Sequence, residues 1–163
     1  MTVRKITEYP EKVLGQIGVP VTEFGEELEK LCADMFETMY DEDGVGLAAP
    51  QIGLSLRLFV MDCEGIRLIA ANPEIINREG EQSGQEGCLS VGKFPAVVVR
   101  AEKATLKAQN EKGEWFEREA TGYAARCFQH ETDHCDGKLF IDYLPKMRRE
   151  MLVKKFQKEK KRK

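Results

Sequence analysis

The chain has 163 residues, 25 Lys plus Arg against 28 Asp plus Glu, and a formal charge of -3. A 42% hydrophobic fraction excludes a disordered chain, and no apolar run approaches the ~20 residues of a membrane span. One domain is the expectation, since a chain of this size buries roughly 68–70% of its unfolded surface without covalent staples. The start, MTVRKITEYPEKV, has neither the apolar stretch nor the small-residue cleavage site of a secretory signal, so a cytoplasmic protein is expected. Its five cysteines then read as reduced thiols or metal ligands rather than a disulfide framework.

The first helix is predicted from Phe24 to Tyr40, where Phe24, Leu28, Leu31, Cys32, Met35, Phe36 and Met39 recur at three- and four-residue steps. Asp43-Gly44 breaks it. The period then changes: LRLFVMD (56–62) and IRLIAAN (66–72), separated by Cys63-Glu64-Gly65, predict a hairpin. One long strand is predicted from Ala96 through Ala108, joined by Asn110-Glu111-Lys112-Gly113 to a partner over 114–119. Helical spacing returns from Ala120 to Cys135 and stops at Asp136-Gly137. After Leu144, Pro145 suits a first helical turn, and Met147, Met151, Leu152 and Phe156 continue an apolar stripe with Leu144. The fold class is α+β, with antiparallel sheets packed around a central helix, a long N-terminal helix and a C-terminal helix. Residues 1–145 are expected to form one domain, with 146–163 a basic helical tail of the same domain.

The central helix carries His130-Glu131-Thr132-Asp133-His134, an HExxH motif. Residues four apart stack on one helix face, so both imidazoles can reach one ion while Glu131 addresses its open position. These are the only two histidines in the chain. Two histidines placed at random fall four apart in roughly one percent of arrangements, which makes an exposed His/Glu helix face the weaker explanation. A third ligand is needed. Phe140 stands where a third His would follow in a metzincin, and Glu150 and Glu159 lie in the basic tail, so neither His nor Glu supplies it.

Cysteine remains. Cys32 and Cys127 fall on apolar helix stripes, Cys63 adjoins a turn and Cys135 a helix end. Cys88 follows a glycine in Glu86-Gly87-Cys88-Leu89-Ser90, where backbone can approach closely. A thiolate ligand there is the expectation, with a free nucleophile or an inert buried thiol as the alternatives. A thiolate with two imidazoles accommodates Zn, Fe, Co or Ni.

Three blocks together resemble the peptide deformylases: Gly44-Val45-Gly46-Leu47-Ala48-Ala49-Pro50-Gln51, Glu86 to Ser90, and Gln129 to His134. The likeness runs from the first helix through Leu139, Phe140 and Asp142. It implies that Cys88, His130 and His134 hold one divalent ion, Fe(II) in the cell with Zn, Ni or Co as replacements. It also implies Glu131 as general acid/base, acting on an ion-activated hydroxide, and Gln51 with the Leu89 N–H as donors to the substrate's formyl oxygen. Glu86 and Arg100 resemble the family's ion pair behind the site. The implied reaction removes the N-formyl group from the formyl-methionine of nascent polypeptides, releasing formate; a zinc metallopeptidase cleaving peptide bonds is the alternative.

From their position near the motifs, Val45, Leu89, Tyr123, Cys127 and Phe128 are expected to form the apolar pocket for the Met side chain, with Gly46 and Gly87 beside the substrate. The glycine-rich block lacks the Lys-Ser/Thr ending of a phosphate loop, so no nucleotide cofactor is expected. The chain departs from the family pattern at Gly92-Lys93-Phe94-Pro95 and at Cys135.

Residues 146–163 hold ten basic residues and two acids, a local charge of +8, which leaves -11 on the rest. A basic amphipathic helix suits RNA, and for an enzyme of emerging chains the expected partner is the ribosome. Deleting 147–163 is expected to spare activity on a short formyl-peptide.

Overall fold

A helix over Glu26–Asp41, α1, buries Leu28, Cys32, Met35, Phe36 and Met39 along one stripe. It begins two residues later than the periodicity suggests, because Gly25 stands at its N-cap and leaves Phe24 outside, half-buried. Glu26, Glu27 and Glu29 in its first turn face the positive end of the helix dipole. The computed structural model describes every residue except Met1, Lys93 and Lys163, so Lys93 of the Gly92–Pro95 departure and Lys163 of the basic segment lie outside the described residues.

Seven strands follow among the described residues: β1 (Gly46–Ala48), β2 (Leu58–Cys63), β3 (Ile66–Glu79), β4 (Gln82–Glu86), β5 (Ala96–Arg100), β6 (Lys103–Gln109) and β7 (Trp115–Thr121). They form an antiparallel five-stranded sheet in the order β1-β2-β3-β6-β7 and a two-stranded sheet β4-β5. Both expected hairpins are present: Cys63 pairs with Ile66 across Glu64-Gly65, and β6 pairs with β7.

The single strand expected over Ala96–Ala108 is two strands in different sheets. The chain leaves β5 after Arg100, whose guanidinium is drawn inward to two buried carboxylates, and Ala101 is held by the Gln129 side chain, its N–H donating to Oε1 at 3.1 Å. The pleat alternates on both sides of this break, so the pattern alone reads as continuous.

The second helix, α2 (Gly122–Cys135), is buried along nearly its whole length, polar residues included. On β2 the alternation of side chains divides two layers. Phe59 and Met61 pack with Ala124, Ala125 and Phe128 of α2, whereas Leu58 and Val60 pack with α1. The five-stranded sheet is thus covered by α1 on one face and α2 on the other.

The last helix, α3 (Lys146–Arg162), anchors through Leu152 and Phe156 into a third cluster that contains Cys88, Val91, Val98 and Phe140. Met147 and Met151, expected on its apolar stripe, are instead 74% and 57% exposed, because the buried line on this short contact runs through positions 152 and 156 alone. Gly92, at φ +63, lies against Phe156; a Cβ there would sit 2.7 Å from the ring. Removing 147–163 therefore uncovers the layer behind Cys88, which corrects the expectation that this deletion is harmless: losing a buried Phe alone costs about 3–5 kcal/mol. No helix among the described residues is long and apolar enough to cross a membrane.

Candidate metal centre

The ligand candidates arrive from two elements. Cys88 ends the segment after β4 and caps a 3-10 turn over Leu89–Val91, while His130 and His134 lie one turn apart on α2. Their donor atoms converge: Cys88 Sγ is 3.5 Å from His134 Nε2, the two Nε2 atoms are 3.3 Å apart, and all three atoms lie within 4.8 Å of one another. Metal–sulfur bonds of ~2.3 Å and metal–nitrogen bonds of ~2.05 Å at tetrahedral angles give edges of ~3.6 Å and ~3.3 Å. The 3.5 and 3.3 Å spacings match these edges, so the residues present fit one small divalent ion.

Supporting contacts set the tautomer of His130. Its Nδ1–H donates to Glu86 Oε1 at 2.8 Å, which leaves Nε2 with its lone pair toward the ion position. Glu86 in turn accepts from Arg100 Nε and Nη2 at 2.8 and 2.9 Å and from Arg126 Nη1 at 2.5 Å. Burial opposes ionisation of Glu86, but the Arg100 guanidinium and His130 outweigh it and hold the carboxyl well below the ordinary carboxylate range. Arg100 also donates to Asp133 Oδ2 at 2.6 Å, and Tyr143 Oη donates to the same oxygen at 2.9 Å.

Glu131 is an unpaired group of the site, as is the Nδ1 of His134. Its Oε1 is buried without a hydrogen-bond partner, and burial is the foremost cause of a carboxyl pKa pushed up to about 7. Gly46 of β1 passes directly over this carboxylate, leaving no room for a Cβ at that position. Glycine there lets strand backbone form the wall above the acid/base candidate. Gln51 Oε1 is pinned by the Ala48 N–H at 3.0 Å, which turns its amide nitrogen toward Cys88 Sγ and Ser90 Oγ, both at 3.4 Å.

Gln51, Cys88, His130 and Glu131 line one cleft. Of the substrate-facing candidates, Val45, Gly46, Glu86, Gly87, Leu89, Tyr123 and Cys127 are on its wall. Phe128 is not. It is fully buried in the layer between α2 and the sheet, because one residue along a helix turns the side chain by about 100° away from Cys127. Arg100 stands behind Glu86 rather than on the wall.

Sequence reading missed Arg126, Asp133 and Tyr143. A charged residue one turn before His130 was the available signal for Arg126, and Asp133 sits inside the motif itself.

The model of the polypeptide deformylase family matches residues 3–150. The chain belongs to the polypeptide deformylase family. Deformylases of this family are enzymes that hydrolyse N-formyl groups, and the family is metal-dependent. Relatives named peptide deformylase include one from Acidobacterium capsulatum, 49% identical over 163 residues covering 97% of this chain and 96% of that one, and one from Alkalilimnicola ehrlichii, 45% identical over 97% and 91%. Among solved deformylases, that of Legionella pneumophila superposes with a TM-score of 0.94 at 48% identity, covering 98% of this chain and 96% of that one. The Ehrlichia chaffeensis deformylase in complex with actinonin gives 0.93 at 34% identity over 98% of each chain.

Proposed function

We propose that this deformylase removes the formyl group from the N-terminal formyl-methionine of nascent polypeptides in the cytoplasm, using one divalent ion held by Cys88, His130 and His134, with ferrous iron as the resident. The observation that carries the reading is the juxtaposition in one cleft of three donor atoms at tetrahedral spacing with a buried, unpaired carboxylate and a pinned amide. When bound, the ion lowers the pKa of water from 15.7 toward roughly 7 and polarises the formyl oxygen.

The chain's own groups supply the rest. Glu131 takes the proton of the attacking water at its free Oε1 and later passes it to the leaving amine nitrogen, without which that amine does not depart. The Gln51 amide, fixed by Ala48, and the N–H of Leu89, in the first turn after Cys88, donate to the oxygen on which negative charge grows. Val45, Tyr123 and Cys127 offer the apolar wall for the methionine side chain, while Gly46 and Gly87 leave backbone accessible to the peptide. Gln51→Ala is expected to lower kcat about 10²–10³-fold at unchanged metal content, the usual cost of one oxyanion donor. Turnover within threefold of the parent would remove Gln51 from the mechanism.

The reading is tested by formate release from formyl-Met-Ala-Ser with metal analysis on the same sample. Cleavage of N-blocked peptides without formate release would turn it over to a peptidase.

For the basic helix we propose docking to ribosomal RNA. Lys154, Lys155, Lys158, Lys160 and Lys161 are all exposed on α3, and counterion release makes such binding salt-dependent. A chain ending after Phe156 keeps both core anchors and loses five of the ten cations. It is expected to release formate normally and to co-sediment with ribosomes more weakly and with a shallower salt dependence; undiminished binding would refute the docking.

A further inference from the structure

The two histidines of the centre are oriented by different means. His130 donates through Nδ1–H to Glu86 Oε1 at 2.8 Å, so its ring follows that carboxylate. His134 has no such handle. Its Nδ1 is buried without a hydrogen-bond partner among the described residues, which leaves its ring to follow the seat of α2 itself. Both requirements converge on Arg100, at the end of β5. Its Nε and Nη2 hold Glu86 at 2.8 and 2.9 Å, while its Nη1 holds Asp133, the neighbour of His134 on α2, at 2.6 Å. A side chain as long as Arg serves two partners at once only if its own rotamer freedom is taken away.

Tyr143 supplies that constraint. The Arg100 Cζ lies 4.7 Å from the centroid of its ring, and its hydroxyl donates to Asp133 Oδ2 at 2.9 Å, the same oxygen that Arg100 binds. One residue therefore grips both halves of the Arg100–Asp133 pair. It closes the 3-10 turn over Phe140–Tyr143, and the N–H of Leu139 donates to Asp142 Oδ2 at 2.9 Å to fix the start of that turn without help from the phenol.

We propose that Tyr143 is a positioning residue of the metal centre: it clamps the Arg100–Asp133 pair, and through that pair sets His130 by way of Glu86 and His134 by way of the α2 backbone. Tyr143 is not on the cleft wall, so it acts through these neighbours rather than on substrate. At 49% exposure it adds little to the core, and its loss is expected to disturb the centre more than the fold. The inference rests on Cys88, His130 and His134 being the ligands.

The test compares Tyr143→Phe, which keeps the ring over Arg100 and loses the donor, with Tyr143→Leu, which loses both. Full chains loaded with zinc are mixed with excess chelator and zinc release is timed. The same proteins loaded with cobalt are examined by visible absorption, whose bands report ligand geometry. Tyr143→Phe is expected to release zinc about three- to tenfold faster than the parent, less than the ~10–100-fold effect of a group that touches a ligand directly, and Tyr143→Leu faster still. The cobalt bands should shift in both. Leu28→Ala, in the layer beneath α1, is the control for stability alone: it should lower the urea midpoint more than Tyr143→Phe does and leave zinc release and the cobalt bands as in the parent. Parental release rates and unshifted bands in both Tyr143 variants would overturn the proposal, as would equal changes in Leu28→Ala. A parent that takes up neither ion would overturn the ligand reading itself, and the positioning role with it.

Discussion

Replacing Glu131 by Gln is expected to leave metal content and folding intact while lowering turnover about 10²–10⁴-fold, the span of a lost general acid/base. The isosteric amide still fits beneath Gly46, so the wall of the cleft is unchanged. It cannot accept the proton that water must lose, nor return it to the amine. The ligand atoms of Cys88, His130 and His134 are not altered, and equal metal occupancy in parent and variant separates this loss from a broken site. Formate release at more than a tenth of the parental rate, with metal retained, would assign the proton transfer to another group.

Glu86→Gln is the largest expected stability effect. It leaves the Arg100 and Arg126 guanidinium groups, 4% and 3% exposed at their side chains, short of the carboxylate they share. Breaking a buried pair from one side costs about 3–5 kcal/mol. The loss also frees His130 Nδ1, and removal of such a supporting partner typically weakens metal binding 10–100-fold. The effect has a pH signature. In the parent Glu86 stays ionised well below the ordinary glutamate value of 4.5, whereas in the unfolded chain it takes up a proton there. Its stabilisation is therefore complete above about 4.5 and drains away as the pH falls further, and urea midpoints of the variant should be flatter over that acid window. Parallel acid limbs in the two proteins would show that Glu86 is not held as its contacts imply.

The candidate ligand set was legible because ligation tolerates few residue types. With only two histidines, four apart on one helix, cysteine was the remaining candidate type for a third ligand, and Cys88 stood out because a glycine before it lets backbone approach. The hairpin at Glu64-Gly65 was legible for a different reason, since alternating runs flanking a turn leave little choice of pairing. What escaped was decided by contacts distant in sequence. Nothing local marks the break at Ala101; Arg100 is pulled toward Glu86 and Asp133, fourteen and thirty-three residues away. Arg126 and Asp133 carry no distinguishing local signal until their helix is found largely buried, where a charge persists only with a partner. Phe128 was assigned to the wall by proximity in sequence, and the helical rotation of a single residue sends it to the opposite face.

The seating of Phe156 against Gly92 bears on the order in which the protein acquires its chemistry. Cys88, His130 and His134 precede α3 in the chain, but the layer behind Cys88 lacks Leu152 and Phe156 until that helix docks. Until that helix docks, the turn carrying the thiolate rests on a half-built floor. A rigid centre is therefore complete only once the final helix is in place.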